Sequence, residues 1–148
     1  MRFELKVCLI TVLATIVSVS TSWANAYGDL MVAIYQDDSI KVKKAIQAGA
    51  NVNQHDKNNF DNTPLLVAID EGNTIEIINL LINAGANVNA KDKWGNTAIL
   101  GIPWGSNKST RIADILLKAG ANPNVADMDG TTPLMKAVTF GYPIDVEM

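Results

Sequence analysis

One six-residue phrase occurs three times in this chain. Ala48-Gly49-Ala50-Asn51-Val52-Asn53 returns as Ala84-Gly85-Ala86-Asn87-Val88-Asn89 and again as Ala119-Gly120-Ala121-Asn122-Pro123-Asn124, its glycines 36 and then 35 residues apart. A second marker keeps step with it: Thr63-Pro64-Leu65, Thr97-Ala98-Ile99 and Thr132-Pro133-Leu134, spaced 34 and 35. Two markers sharing one period define an array of like units. A unit of this size cannot bury its own apolar face, so the core must form between neighbours.

Each marker has a structural task. Thr63 can accept a free amide hydrogen bond as an N-cap, and Pro64 suits the first helical position because its φ is preset. An apolar stripe follows in Leu65, Leu66, Ala68 and Ile69, and the helix stops near Glu71-Gly72-Asn73. Thr74 is placed to cap a second helix from Ile75 to Ile82, whose apolar residues fall on helical spacing. Gly85 stands just past its end, where a left-handed residue is wanted. The polar run Asn87 to Asp92 then leads through Lys93-Trp94-Gly95 to the next cap at Thr97. The unit reads turn, helix, turn, helix.

These repeats resemble ankyrin repeats, whose unit is about 33 residues long with a T-P-L-H-x-A signature. The resemblance implies an all-α solenoid of helix-turn-helix units joined by β-hairpin-like finger loops. It places unit one at about Tyr27 to Asp56, unit two at Lys57 to Asp92, unit three at Lys93 to Asp127 and a partial fourth from Met128. Unit one has an atypical first helix over Leu30 to Ile34. Where the family carries His after Thr-Pro-Leu, this chain has Leu66, Leu100 and Met135, which implies more apolar packing between units. Pro103 falls where the first helix of unit three should continue, and proline both removes a helical amide and pushes Ile102 off α geometry. Trp104 to Lys108 replaces the usual short connection, and the finger Lys57 to Asn62 is two residues longer than Lys93 to Asn96. Unit four gives one helix, Thr132 to about Thr139, and Ile144-Asp145-Val146-Glu147 reads as the start of another. The sequence shows no polar capping repeat there, so the expectation is a truncated longer array, or an end covered by a partner or by self-association.

The first 26 residues read as an address. A short head with Arg2 and Lys6 precedes 14 uncharged residues, Val7 to Ser20, and then Ala24-Asn25-Ala26. That order describes a secretory signal peptide cut after Ala26. As a helix the apolar run reaches only about 21 Å against a hydrocarbon core of about 30 Å, so no stable membrane anchor is expected after cleavage. Export to a periplasm or an extracellular space follows. The only cysteine, Cys8, leaves with the leader, and a thiol-free chain suits an oxidising compartment.

Chemistry has little to work with. Lys plus Arg total 12 against 15 Asp plus Glu, a formal charge of −3, which offers no basic excess for nucleic acid. One Cys and one His exclude a Cys/His zinc site, a disulfide framework and a Cys-His nucleophile. His55 falls on a finger turn and reads as solvated. The pairs Asp37-Asp38, Asp70-Glu71 and Asp127 with Asp129 sit at helix ends and turns, where charge supports capping better than catalysis. Lys41, Lys43 and Lys44 read as a solvated face, with Ile40, Val42 and Ile46 partly packed inward. No catalytic residue, cofactor site or metal site is expected, and no nucleic-acid partner.

The resemblance therefore implies a non-catalytic protein-interaction module binding an unidentified protein through finger tips and the concave helix face. Alternatives are a regulatory or inhibitory accessory subunit of a co-exported enzyme, or a truncated, non-functional remnant. Carried over position by position, the candidate contacts are Lys57, Phe60 and Asn62 in unit two, Lys91, Lys93, Trp94 and Asn96 in unit three, and Met128, Asp129 and Thr131 in unit four. Trp94 stands out, because exposed aromatics concentrate binding energy. Trp104 is expected to fill the gap that Pro103 opens.

Overall fold

The computed structural model describes residues 26–140. The segment read as a leader, up to Asn25, and the second helix expected from Ile144 lie outside them. The described residues form helices and turns: α1 (26–35), α2 (Ser39–Gln47), α3 (Pro64–Asp70), α4 (Ile75–Asn83), α5 (Asn107–Lys118) and α6 (Pro133–Phe140). Among them the one β feature is an isolated antiparallel bridge, Asp56 with Asn62. The architecture is the all-α repeat solenoid that the resemblance implies.

The caps explain where the helices begin. Thr63 accepts from the Leu66 amide at 3.4 Å, Asp38 from Lys41 at 3.0 Å and Ser106 from Ser109 at 3.2 Å. Thr74 stands at the expected N-cap position but makes no side-chain capping bond. Its own amide donates instead to Asp37 Oδ1 at 2.8 Å, which ties the start of α4 to the unit before it. Each outer helix closes in the same way. After α4, Gly85 turns left-handed (φ 88°), and the Ala86 amide reaches back to Leu81 O at 3.0 Å. That geometry is why the phrase needs Gly between its alanines.

The fully buried side chains come from both helices of successive units: Leu30 and Ile34 in unit one, Leu65, Ile69, Ile77 and Leu81 in unit two, Ile112 and Leu116 in unit three. Each such residue contributes about 1.5–3 kcal/mol by leaving water. Helix α4 packs on α3 within its unit and on α2 across the joint. Ile40, expected to pack partly inward, is instead 68% exposed, while Val42 takes the buried place on α2.

Asparagine side chains bind one unit to the next. Asn53 Nδ2 donates to Gly85 O at 2.9 Å, and its Oδ1 accepts from the Asn87 amide at 2.7 Å. Asn89 repeats both bonds one unit on, to Gly120 O at 3.0 Å and from the Asn122 amide at 2.8 Å. The last Asn of the phrase is thus the rivet, and the Gly-Ala-Asn of the next phrase is the plate it grips.

Unit three departs as Pro103 foretells, and further. Thr97 O accepts from the Leu100 and Gly101 amides at 2.9 and 3.0 Å, one turn forms, and no helix follows. In a helix interior Gly costs about 1 and Pro about 3 kcal/mol relative to Ala, more than so short a segment can offset. Residues 102–104 run on without helical structure, the Ser109 hydroxyl donates to Pro103 O, and α5 already begins at Asn107 rather than after Lys108. In unit four, Leu134 and Met135 are exposed, although their counterparts Leu65 and Leu66 are buried.

The rivet account predicts that Asn89→Ala lowers stability by about 1–2 kcal/mol, the typical worth of two exposed hydrogen bonds. Asn124→Ala, whose side chain bridges no units among the described residues, should change it by about 0.5 kcal/mol or less. Urea midpoints at equal m-value measure both; equal midpoints for the two variants would refute the account.

Candidate partner-binding face

Each finger is organised by one aspartate. Asp92 Oδ1 accepts from the Trp94 and Asn96 amides, both at 2.8 Å, and Oδ2 from Asn96 Nδ2 at 2.9 Å. Asp127 accepts from Asp129 at 3.0 Å and Thr131 at 2.9 Å, and Asp56 from Asn58 at 2.9 Å. These amides hold the Asp127 carboxyl below its ordinary value of 3.8, the Thr131 amide most and the Asp129 amide after it, with Lys136 at 3.7 Å adding to the effect. Asp38 is lowered likewise, first by the Lys41 amide. Fingers are also joined edge to edge, since Lys93 N donates to Phe60 O and Met128 N to Trp94 O, each at 3.1 Å.

The two extra residues of the unit-two finger have a visible consequence. Phe60 and Asp61 both take left-handed backbone conformations, φ 53° and 63°, which side chains other than glycine rarely adopt. Such strain persists where surrounding contacts hold it. Here the Lys93 amide holds Phe60 O, and the Phe60 ring meets Trp94 with centroids 4.6 Å apart and planes tilted by 41°. The Lys93 ammonium lies 4.1 Å from the Phe60 ring centroid and 4.3 Å from that of Trp94. Despite this mutual packing, Phe60 stays 49% and Trp94 42% exposed.

Beneath this pair, on the inner-helix side, lies a groove of about 630 Å³. Phe60, Asn62, Trp94 and Asn96 line its finger wall, Leu66 and Asp70 come from α3, and Leu100 to Trp104 form the side where unit three lacks its helix. Lys136 and Phe140 of α6 close the far edge. Trp104 packs partly on the core, as expected, but also lines the groove, and its Nε1 is buried with no hydrogen-bond partner among the described residues. At the near end, the Tyr35 hydroxyl accepts from Asn59 Nδ2 at 3.1 Å. Burial raises the Tyr35 pKa above 10.0, and the carboxylates of Glu71, Asp56 and Asp70 raise it further, so that end of the face is acidic.

The structure thus brings together Phe60, Asn62, Lys93, Trp94 and Asn96. Lys57 joins Phe60 and Lys93 around a separate shallow depression on the finger tips. Lys91 is exposed and lines neither. Met128 and Asp129 are exposed at the tip of the unit-four finger, and Thr131 is half-buried at its base. Sequence reasoning missed Asp70, Leu100, Gly101, Asp92, Lys136 and Phe140. The signal for the first three was present in Pro103, since a lost inner helix must leave a space beside α3. His55 sits on an exposed turn with Nδ1 2.9 Å from Asp61 O and 3.2 Å from its Oδ2. Among the described residues no three His, Cys, Asp or Glu side chains cluster as metal ligands, and no helix is long and apolar enough to cross a membrane.

The family model described as ankyrin repeats (3 copies) matches residues 30–127, and the chain belongs to the ankyrin repeat family. Similar proteins include a putative ankyrin repeat protein of Acanthamoeba polyphaga mimivirus, 42% identical over 69 residues, 44% of this chain and 42% of that one. Human Ankyrin repeat and SOCS box protein 6 is 34% identical over 74 residues, 50% of this chain and 17% of its own. The potassium channel SKOR of Arabidopsis thaliana is 40% identical over 76 residues, 51% of this chain and 9% of its own. The match thus spans less than half the length of each of these relatives. Ankyrin repeats are generally protein–protein interaction modules and typically non-catalytic.

The lowered Asp38 and Asp127 carboxyls predict an acid-sensitive fold. Their contribution is complete above the unfolded value of 3.8 and is lost as pH falls through the lower folded values. Asp127→Asn keeps an acceptor oxygen and removes the titration, so its urea midpoint should fall less than that of the parent on acidification below pH 3.8. Parallel losses would show that Asp127 does not titrate as assigned.

Proposed function

We propose that the chain is an exported, non-catalytic binding module that grips a partner protein with its finger row and the groove beneath it. The observation that carries this reading is the Phe60–Trp94 pair. Two large rings meet at a tilt beneath a lysine, one on strained backbone, and both keep over two-fifths of their surface exposed. Aromatic anchors beside a concavity are where interface energy concentrates. Lys57, Asn62, Lys91 and Asn96 would surround the anchor, with Met128, Asp129 and Thr131 extending the row toward unit four. Export rests on the leader-like segment, so the chain should be recovered from the exported fraction with Tyr27 as its first residue; a chain kept inside the cells with Met1 in place would remove export from the proposal.

Crosslinking capture from that fraction, with Trp94→Ala as the control bait, tests the binding role. A partner held by the parent should bind the variant more weakly by about 2 kcal/mol or more. Equal affinity for the two baits would take the finger face out of the interface.

A further inference from the structure

We propose that the groove beside the unwound third unit takes an extended polypeptide segment of the partner, carrying an aromatic side chain next to a lysine or arginine. This rests on the binding role above and names what enters its groove.

The first reason is the main chain. In unit two an inner helix occupies this level of the stack, and its peptide groups are bonded within α3. In unit three the stretch from Gly101 to Trp104 is not helical, and no described residue bonds the Gly101 C=O, the Ile102 N–H and C=O, or the Trp104 N–H. Pro103 lies between the last two residues, with its carbonyl already taken by Ser109. Trp104 Nε1 adds a further unused donor at the same wall. Ile102 and the Trp104 ring nitrogen are buried, and buried polar groups take partners. An α-helix bonds its own main chain and would leave them unmatched, whereas an extended segment offers N–H and C=O groups along its edge.

The second reason is the lining. Phe60, Trp94, Trp104 and Phe140 give the groove four aromatic walls, which suit an aromatic or other large apolar side chain. Its charge is acidic. Asp70 and Asp92 line it, the Asp70 carboxylate forms no hydrogen bond or ion pair with any described residue, and Glu71 stands beside Asp70. The lining cation, Lys136, is paired with Asp127. A basic side chain in the entering segment complements that balance.

Short random peptides displayed on phage and panned against the full chain are the probe. The expected enrichment is for sequences joining an aromatic residue to Lys or Arg. The decisive variant is Gly101→Ala with Pro103→Ala, which restores helix-forming residues where unit two has Val67 and Ile69. It should gain helical circular dichroism and bind an enriched peptide at least about tenfold more weakly, the loss of one good anchor or of its matched hydrogen bonds. Asp70→Asn should weaken it several-fold, and N-methylation of the peptide main chain beside its aromatic residue should abolish binding. These last two measurements decide the matter if the double variant does not fold. No enrichment, helical binders, or equal affinity for parent, Asp70→Asn and N-methylated pairs would overturn the proposal. A captured partner lost on Trp94→Ala yet unaffected by the double variant would leave the finger-face role standing and remove this one.

Discussion

Everything in this protein depends on the joint that Asn53 and Asn89 make between units. Each amide side chain donates to the carbonyl of a left-handed Gly and accepts from an Asn amide in the following phrase, so it satisfies both of its polar ends across a boundary. That fixes the offset from unit to unit. With the offset fixed, Ile69, Leu81, Ile112 and Leu116 fall into one buried cluster, and the fingers line up so that the Lys93 amide donates to Phe60 O and the Met128 amide to Trp94 O. The apolar core supplies most of the free energy, but it is not directional. The asparagines give it a register.

Regularity of that kind makes any departure informative. Unit three keeps the asparagine joint to unit two and its outer helix, and loses its inner helix at Gly101 and Pro103. The stack tolerates this because Ile99, Leu100 and Ile102 still reach the core from a single turn and an unwound strand of chain. The consequence is local: a groove opens between α3 and α6, and the aromatic pair at the fingers stands at its rim. A perfectly regular array would have a helix there.

Much of this was legible in the residues. The period, the caps at Thr63 and Asp38, the Gly85 turn and the break at Pro103 each rest on short-range chemistry, which sequence reports directly. Thr74 shows where that stops. Its type and position signal a cap, but the hydrogen bond at that site is made with Asp37 from the neighbouring unit, and no local pattern reports it. The same holds for Phe60. Two extra finger residues were visible, yet their effect, a left-handed Phe60 laid against Trp94, depends on contact across units. Ile40 was read as partly inward together with Val42 and Ile46, whereas the buried side of α2 is set by where α4 stands. Asp70 joins the groove only because a helix one unit away is missing.

The most direct test of the central claim, that the partner is held at the finger row and the groove beside unit three, is hydrogen exchange on the full chain with and without a captured partner. The amides of Ile102 and Trp104, unbonded by any described residue, should exchange fast in the free protein. On binding, protection should appear there and along the fingers around Phe60 and Trp94, with α4 and α5 unchanged. Protection confined to the outer helices, with these amides still exchanging freely, would place the partner on the opposite face and contradict the account.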